Sequence, residues 1–162
     1  MALSWQPHKL YLLLTSRNNP GTFHWGLYLT EDDPTKGHIY HIINAPGSSV
    51  WIYDPRPTTN VMTSKRILAA IEIGDNVTGM KQHIEDAIHS VWKIEEINPL
   101  KDMRCEPFVL NCIKEMDEQG ILTLVDGIDP LVAEVKELGL LSDPALNADA
   151  RPAVIWKSKK VY

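Results

Sequence analysis

The spacing of apolar residues changes near Met80, and this change constrains the fold more than any other feature of the sequence. Before Met80, short apolar segments are separated by turn-forming clusters such as residues 17–21 and 31–37, a pattern typical of strands and hairpins. After Met80, apolar residues recur every three or four positions, which predicts amphipathic helices. Strands followed by helices indicate an α+β fold.

The pattern also predicts the positions of the individual elements. We expect strands at residues 9–16, 23–30, 38–44, 51–53, 67–73 and 154–156, with a short strand at 94–97. We expect one helix from about residue 80 and a second over residues 105–119 that ends at Gly120. A third helix is predicted to begin with Asp129 as its N-cap and to close near Gly139. Residues 142–151 look irregular.

Length and composition limit the classes of protein to consider. A chain of 162 residues with 44% hydrophobic content suits one domain, which we place at 1–162. The formal net charge of −5 makes nucleic acid an unsuitable partner. The apolar runs are far shorter than the roughly 20 residues of a membrane span, so we expect no stable membrane anchor and a cytoplasmic protein. Nothing in the sequence specifies an oligomeric state.

The two cysteines have different predicted environments. Pro107 is tolerated in the first turn of a helix but not deep inside one, so Cys105 is expected at a helix start. An anionic sulfur is stabilised there by the helix dipole and the free N–H groups. Cys112 lies within the apolar stripe of the same helix and is interpreted as a core residue. Their seven-residue spacing is a poor geometry for a disulfide.

Two histidines on neighbouring predicted strands complete a candidate catalytic group. His24 begins a strand on which it shares a face with Gly26 and Tyr28. His41 follows on the partner strand and is placed to fix the tautomer of His24. A zinc site of His24, His38 and His41 is disfavoured, because His38 and His41 are three apart and face opposite sides of a strand. We expect neither a metal nor a cofactor.

Three motifs occur in an order that resembles a known superfamily. They are the segments His24-Trp25-Gly26-Leu27-Tyr28-Leu29, Ile39-Tyr40-His41-Ile42 and Arg104-Cys105-Glu106-Pro107-Phe108-Val109. The arrangement resembles the permuted papain-like (NlpC-type) thiol hydrolases and acyltransferases, in particular the lecithin:retinol acyltransferase-like proteins. Arg104 and Pro107 stand where that family has asparagine and histidine. The fold that this resemblance implies is an antiparallel sheet packed against helices in a circularly permuted papain-like architecture.

The resemblance also implies roles for individual residues. Cys105 would be the nucleophile, His24 the general base, and His41 the residue that orients His24. Asn44 is the alternative third member, because it would lie opposite His24 if the two strands pair about a centre near Pro34. The candidate substrate-binding residues are Trp25, Tyr28, Asn44 and Arg104.

Two functions of different classes are compatible with this sequence. The leading hypothesis is a cysteine-dependent hydrolase or acyltransferase that forms an acyl-enzyme thioester from a small-molecule ester, thioester, amide or peptide substrate. Thiol isopeptidases of the same permuted group share that intermediate. The alternative is a non-catalytic binding or scaffold protein on the same fold, because a fold does not determine a function.

Overall fold

The computed structural model describes residues 4–17, 19–45, 47–59, 66–75, 77–97, 104–146 and 154–162. Its strands are β1 (Leu10–Ser16), β2 (Phe23–Thr30), β3 (Gly37–Tyr40), β4 (Ile42–Asn44), β5 (Trp51–Tyr53), β6 (Arg56–Thr58), β7 (Ile67–Gly74) and β8 (Val154–Lys157). Its helices are α1 (Lys81–Ile97), α2 (Cys105–Glu118) and α3 (Ile128–Ser142). None of the described helices is long and apolar enough to cross a membrane.

Within the described part of the chain, six strands form one sheet in the order β6-β3-β2-β1-β7-β8. Neighbouring strands run antiparallel except β7 and β8, which are parallel. Strands β4 and β5 pair with each other in a separate small sheet. The predicted α+β fold with a mostly antiparallel sheet packed against helices is confirmed. The circularly permuted papain-like architecture stays a prediction.

The central strand β1 is apolar on both faces, as a strand covered on both sides must be. Leu12 and Leu14 belong to the large core formed with the helices, and we call this side of the sheet the helix face. Tyr11 and Leu13 point to the opposite side, the far face, because side chains alternate along a strand. There they pack with Trp5 in a second buried cluster. The sheet therefore has a buried layer on each side.

The strand predicted at residues 38–44 breaks at His41. Strand β3 pairs with β2 only from Gly37 to Tyr40, and the chain then pairs from Ile42 onward with β5. The backbone N–H of Asp54, just after β5, donates to the carbonyl of His41 at 2.9 Å. The break therefore places His41 between two sheets and next to Asp54.

Several predicted element ends are wrong. The stretch predicted as a strand at residues 94–97 continues α1. Helix α3 begins one residue before Asp129, with Gly127 as its N-cap at φ 79°. It also continues past Gly139. That glycine packs closely against the core, since an added Cβ would lie 2.8 Å from side-chain atoms of Leu14 and Phe23. Close packing, and not chain termination, explains this glycine.

Candidate functional site

His24 and His41 form a pair on the far face of the sheet. Nε2 of His24 lies 3.1 Å from Nδ1 of His41, and the rings meet edge-on with centroids 5.3 Å apart. Gly26 follows His24 on the same face of β2, and a Cβ at that position would lie 3.4 Å from Cβ of His41. A side chain at Gly26 would therefore come into contact with His41.

A carboxylate extends this pair into a chain of three groups. Oδ2 of Asp54 lies 2.9 Å from Nε2 of His41 and 2.9 Å from Nη2 of Arg56. An ionised carboxylate only accepts, so Nε2 of His41 carries the proton and its Nδ1 is an acceptor. His24 then donates from Nε2, which leaves its Nδ1 as an unprotonated nitrogen. The chain thereby selects the tautomer of both rings.

The pKa values of both histidines lie below that of a free imidazole. Burial is the largest cause that lowers the pKa of His24 to about 4, and the neighbouring His41 and the charge of Arg17 lower it further. Burial also lowers the pKa of His41, although its hydrogen bond to Asp54 acts in the opposite direction. A neutral imidazole can accept a proton, but one with a pKa of about 4 is a weak base.

Cys105 is the first residue of α2, as the position of Pro107 predicted. Arg104 before it has the extended backbone of an N-cap residue, at φ −101° and ψ 174°. The side chain of Cys105 is only 3% exposed, and Nη2 of Arg17 donates to its Sγ at 3.2 Å. The thiol is thus nearly buried and in contact with a cation.

The structure does not bring Cys105 and His24 into contact. Cys105 packs with Trp25 in the helix-face core, whereas His24, the preceding residue of β2, points to the far face. No hydrogen bond joins the thiol to His24, although both belong to the described residues. The predicted pair of histidines is therefore present, but the predicted contact between thiol and imidazole is not.

Two cavities reflect this separation. The far-face cavity, of about 830 Å³, is lined by Thr15, His24, His41, Asn44 and Arg56 among others. The helix-face cavity, of about 490 Å³, is lined by Cys105, Trp25, Arg104, Pro107 and Leu140 among others. Arg17 lines both cavities. Arg17 therefore stands between the thiol and the histidine pair.

The four predicted substrate-binding residues have different locations. Trp25 and Arg104 line the helix-face cavity, and Asn44 lines the far-face cavity. The side-chain N–H of Asn44 donates to the carbonyl of Ser49 at 3.2 Å, so the residue that contacts His24 is His41 and not Asn44.

Tyr28 belongs to the core and not to the site. Its side chain is fully buried and lies edge-on to Trp5 with ring centroids 5.5 Å apart. Burial raises the pKa of its hydroxyl to about 12. The alternation that placed Tyr28 on the face of His24 was sound, but Trp5 covers this part of that face.

Sequence reasoning missed Arg17, Asp54 and Arg56. Asp54 stands directly after the predicted strand at residues 51–53, and pairing that strand with residues 42–44 would have brought it next to His41. Arg17 stands directly after β1, in a segment interpreted only as a turn. Cys112 is fully buried, as predicted, and burial raises the pKa of its thiol.

These features define an α+β protein with a histidine–aspartate network on one face of its sheet and a thiol at a helix start on the other. Among the described residues, no cluster of three or more histidine, cysteine or acidic residues is arranged to hold a metal ion. Residues 10–123 match the model of DUF6540, a family of unknown function, and the chain belongs to that family. No curated protein and no solved structure matches the chain.

Proposed function

We propose that the protein is a cysteine-dependent hydrolase or acyltransferase with a permuted papain-like architecture. In this proposal Cys105 is the nucleophile, His24 the general base and acid, and His41 the residue that orients His24. The observation that carries it is the chain Asp54–His41–His24, which leaves a lone pair on Nδ1 of His24. A base held in one tautomer by a second group is the usual partner of a catalytic nucleophile.

The environment of Cys105 supports its role as nucleophile. A helix N-terminus and a neighbouring cation each favour an anionic sulfur. Cys105 begins α2, and Arg17 donates to its Sγ. Pro107 has no N–H group, so the N–H groups of Cys105 and Glu106 are the first-turn donors available to an oxyanion.

The proposed reaction has two steps. His24 takes the thiol proton of Cys105 at its Nδ1, the sulfur attacks the carbonyl carbon of an ester, thioester or amide, and the leaving group departs with that proton. Water or an amine then attacks the thioester and gives a proton to His24, the C–S bond breaks, and His24 returns that proton to the sulfur of Cys105. The reaction requires His24 to turn from the far face toward the sulfur, to which Arg17 now donates.

Thiol reactivity tests the proposal. We would measure the pH dependence of alkylation by iodoacetamide in the intact protein and in Cys105→Ala, Cys112→Ala and His24→Ala. Fast labelling below pH 7 that Cys105→Ala abolishes and His24→Ala slows is the expected result. Labelling at the rate of an ordinary thiol, with a pKa near about 8.5, would contradict it.

A covalent intermediate provides the second measurement. After incubation with p-nitrophenyl acetate, intact-protein mass spectrometry should detect one acetyl group that neutral hydroxylamine removes, as expected of a thioester. Cys105→Ser and His24→Ala should each reduce this adduct, whereas Cys112→Ala should retain it. An adduct that persists in Cys105→Ser on other residues would count against Cys105 as the nucleophile.

The alternative is a non-catalytic binding protein, and one observation favours it. Cys105 is only 3% exposed, and its sulfur accepts a hydrogen bond from Arg17 instead of contacting His24. The pKa of about 4 for His24 also makes it a weak base. Slow alkylation together with no acetyl adduct would support this alternative. Isopeptide substrates test the isopeptidase form of the enzymatic proposal.

A further inference from the structure

The far-face cavity carries positive charge in a protein that is negative overall. Arg17, Arg56 and Arg66 line it, and no aspartate or glutamate is among its described lining residues. The chain as a whole has a formal net charge of −5. Cations gathered in a concave site of an acidic protein attract anions, because the low-dielectric walls focus their field.

One carboxylate, Asp54, cancels part of this charge. Its Oδ2 accepts from both His41 and Arg56 at 2.9 Å each. The guanidinium groups of Arg17 and Arg56 therefore face one carboxylate. Arg17 and Arg56 also act on the histidines, since each contributes to lowering the pKa of the nearer one after burial, the larger cause.

The cavity also has the size and chemistry of a small-molecule site. Its volume of about 830 Å³ lies within the usual range for ligand pockets. Its apolar part is formed by side chains such as Leu13, Ile39, Ile43 and Trp51. Guanidinium groups bind carboxylates and phosphates through two parallel N–H donors. The walls therefore suit a ligand with one anionic end and one apolar end.

We propose that the far-face cavity binds a small organic anion, with its carboxylate or phosphate held by Arg17 and Arg56 and its apolar part against Trp51. Binding does not require the chemistry of Cys105.

Calorimetric titration of the Cys105→Ala protein with benzoate, phenyl phosphate and neutral benzamide tests the inference. We expect saturable binding of at least one anion, weakening as sodium chloride is raised, and at least about tenfold weaker binding of benzamide. A charge-assisted hydrogen bond is worth about 1.5–3 kcal/mol, and about 1.4 kcal/mol corresponds to tenfold in affinity. The affinities for benzoate and phenyl phosphate show whether the cavity prefers a carboxylate or a phosphate.

Matched variants locate the site. Arg17→Gln and Arg56→Gln should each weaken anion binding about tenfold. Lys114→Gln removes the same charge from an exposed position on α2 outside both cavities, and it should leave binding unchanged. Circular dichroism checks that each variant is folded. If Arg56→Gln does not fold, Arg56→Lys is measured in its place, because it keeps the positive charge.

The outcomes separate this inference from the proposed function. Saturable anion binding without an acetyl adduct on Cys105 would support the cavity and contradict the enzyme. An adduct without anion binding would support the enzyme and overturn the cavity. Equal affinity for benzamide and the anions would also overturn the proposed anion site. So would an equal loss of anion affinity in Lys114→Gln and Arg17→Gln.

Discussion

Arg17 donates from Nη2 to Sγ of Cys105 across 3.2 Å. The contact joins the residue just after β1 to the first residue of α2, which are 88 positions apart in the chain. Because Arg17 lines both cavities, it is the group through which a ligand on the far face can affect the sulfur on the helix face. The reactivity of the thiol should therefore depend on this one guanidinium.

Removing the charge of Arg17 should slow the reaction of Cys105. Arg17→Gln keeps a side-chain N–H donor but loses the cation that favours an anionic sulfur. We expect alkylation by iodoacetamide at pH 7 to slow about tenfold, from the roughly 1.5 kcal/mol or more of a charge-assisted bond. The measurement is the second-order rate at Cys105, read by mass spectrometry of its peptide. An unchanged or faster rate in Arg17→Gln, with Lys114→Gln as the charge control, would show that Arg17 merely shields the thiol.

Protonation of His24 should link stability to pH in the acid range. Its pKa falls from the usual 6.5 in the unfolded chain to about 4 in the folded protein. Between these values the unfolded state binds the proton that the folded state does not, so stability falls as the pH is lowered from about 6.5 to about 4. The shift of His41 is in the same direction and adds to this dependence.

Urea unfolding at a series of pH values measures this effect. In His24→Gln the fall in the free energy of unfolding between pH 6.5 and 4 should become shallower. His83→Gln removes an exposed histidine from α1 and serves as the control, for which we expect the pH dependence of the parent protein. If the free energy of unfolding has the same pH dependence in the parent and in His24→Gln, folding does not lower the pKa of His24.

The tautomers of the histidine pair should depend on Asp54. Asp54→Asn replaces a group that only accepts with an amide that also donates, so Nε2 of His41 loses the partner that keeps its proton there. We expect both rings to shift from protonated Nε2 toward a mixture of tautomers, as read from their ¹⁵N chemical shifts near pH 7. In the proposed enzyme, kcat should fall by more than tenfold, since a misplaced tautomer is costly in comparable triads.

A second histidine–aspartate pair in the chain provides the control for that prediction. His8 contacts Asp32 on the exposed surface, and neither residue lines the far-face cavity. Asp32→Asn should leave the ¹⁵N shifts of His24 and His41 unchanged. Unchanged shifts in Asp54→Asn as well would show that Asp54 is not what orients the two imidazoles.

The sequence predicted local features of the site better than their mutual arrangement. The helix start at Cys105 and the strand of His24 are both confirmed, because proline position and apolar alternation are local signals. Alternation also placed His24 and Trp25 on opposite faces of β2. Which face α2 covers depends on tertiary packing, so the separation of thiol and imidazole could not be predicted. The position of Asp54 depended on a second sheet that starts beyond the break at His41.

Close packing of α3 beside this site should make Gly139 intolerant of a side chain. Alanine usually stabilises a helix relative to glycine by up to about 1 kcal/mol. At Gly139, however, the added Cβ would lie 2.8 Å from Leu14 and Phe23, and Leu14 is fully buried. We expect Gly139→Ala to lower the free energy of unfolding by about 1–3 kcal/mol, the usual range for overpacking, as measured by urea denaturation. Glu137→Ala, at an exposed position of the same helix, should change it by less than about 0.5 kcal/mol. A gain in stability for Gly139→Ala would mean that Phe23 moves aside, and because Phe23 precedes His24, the ¹⁵N shifts of His24 would then change too.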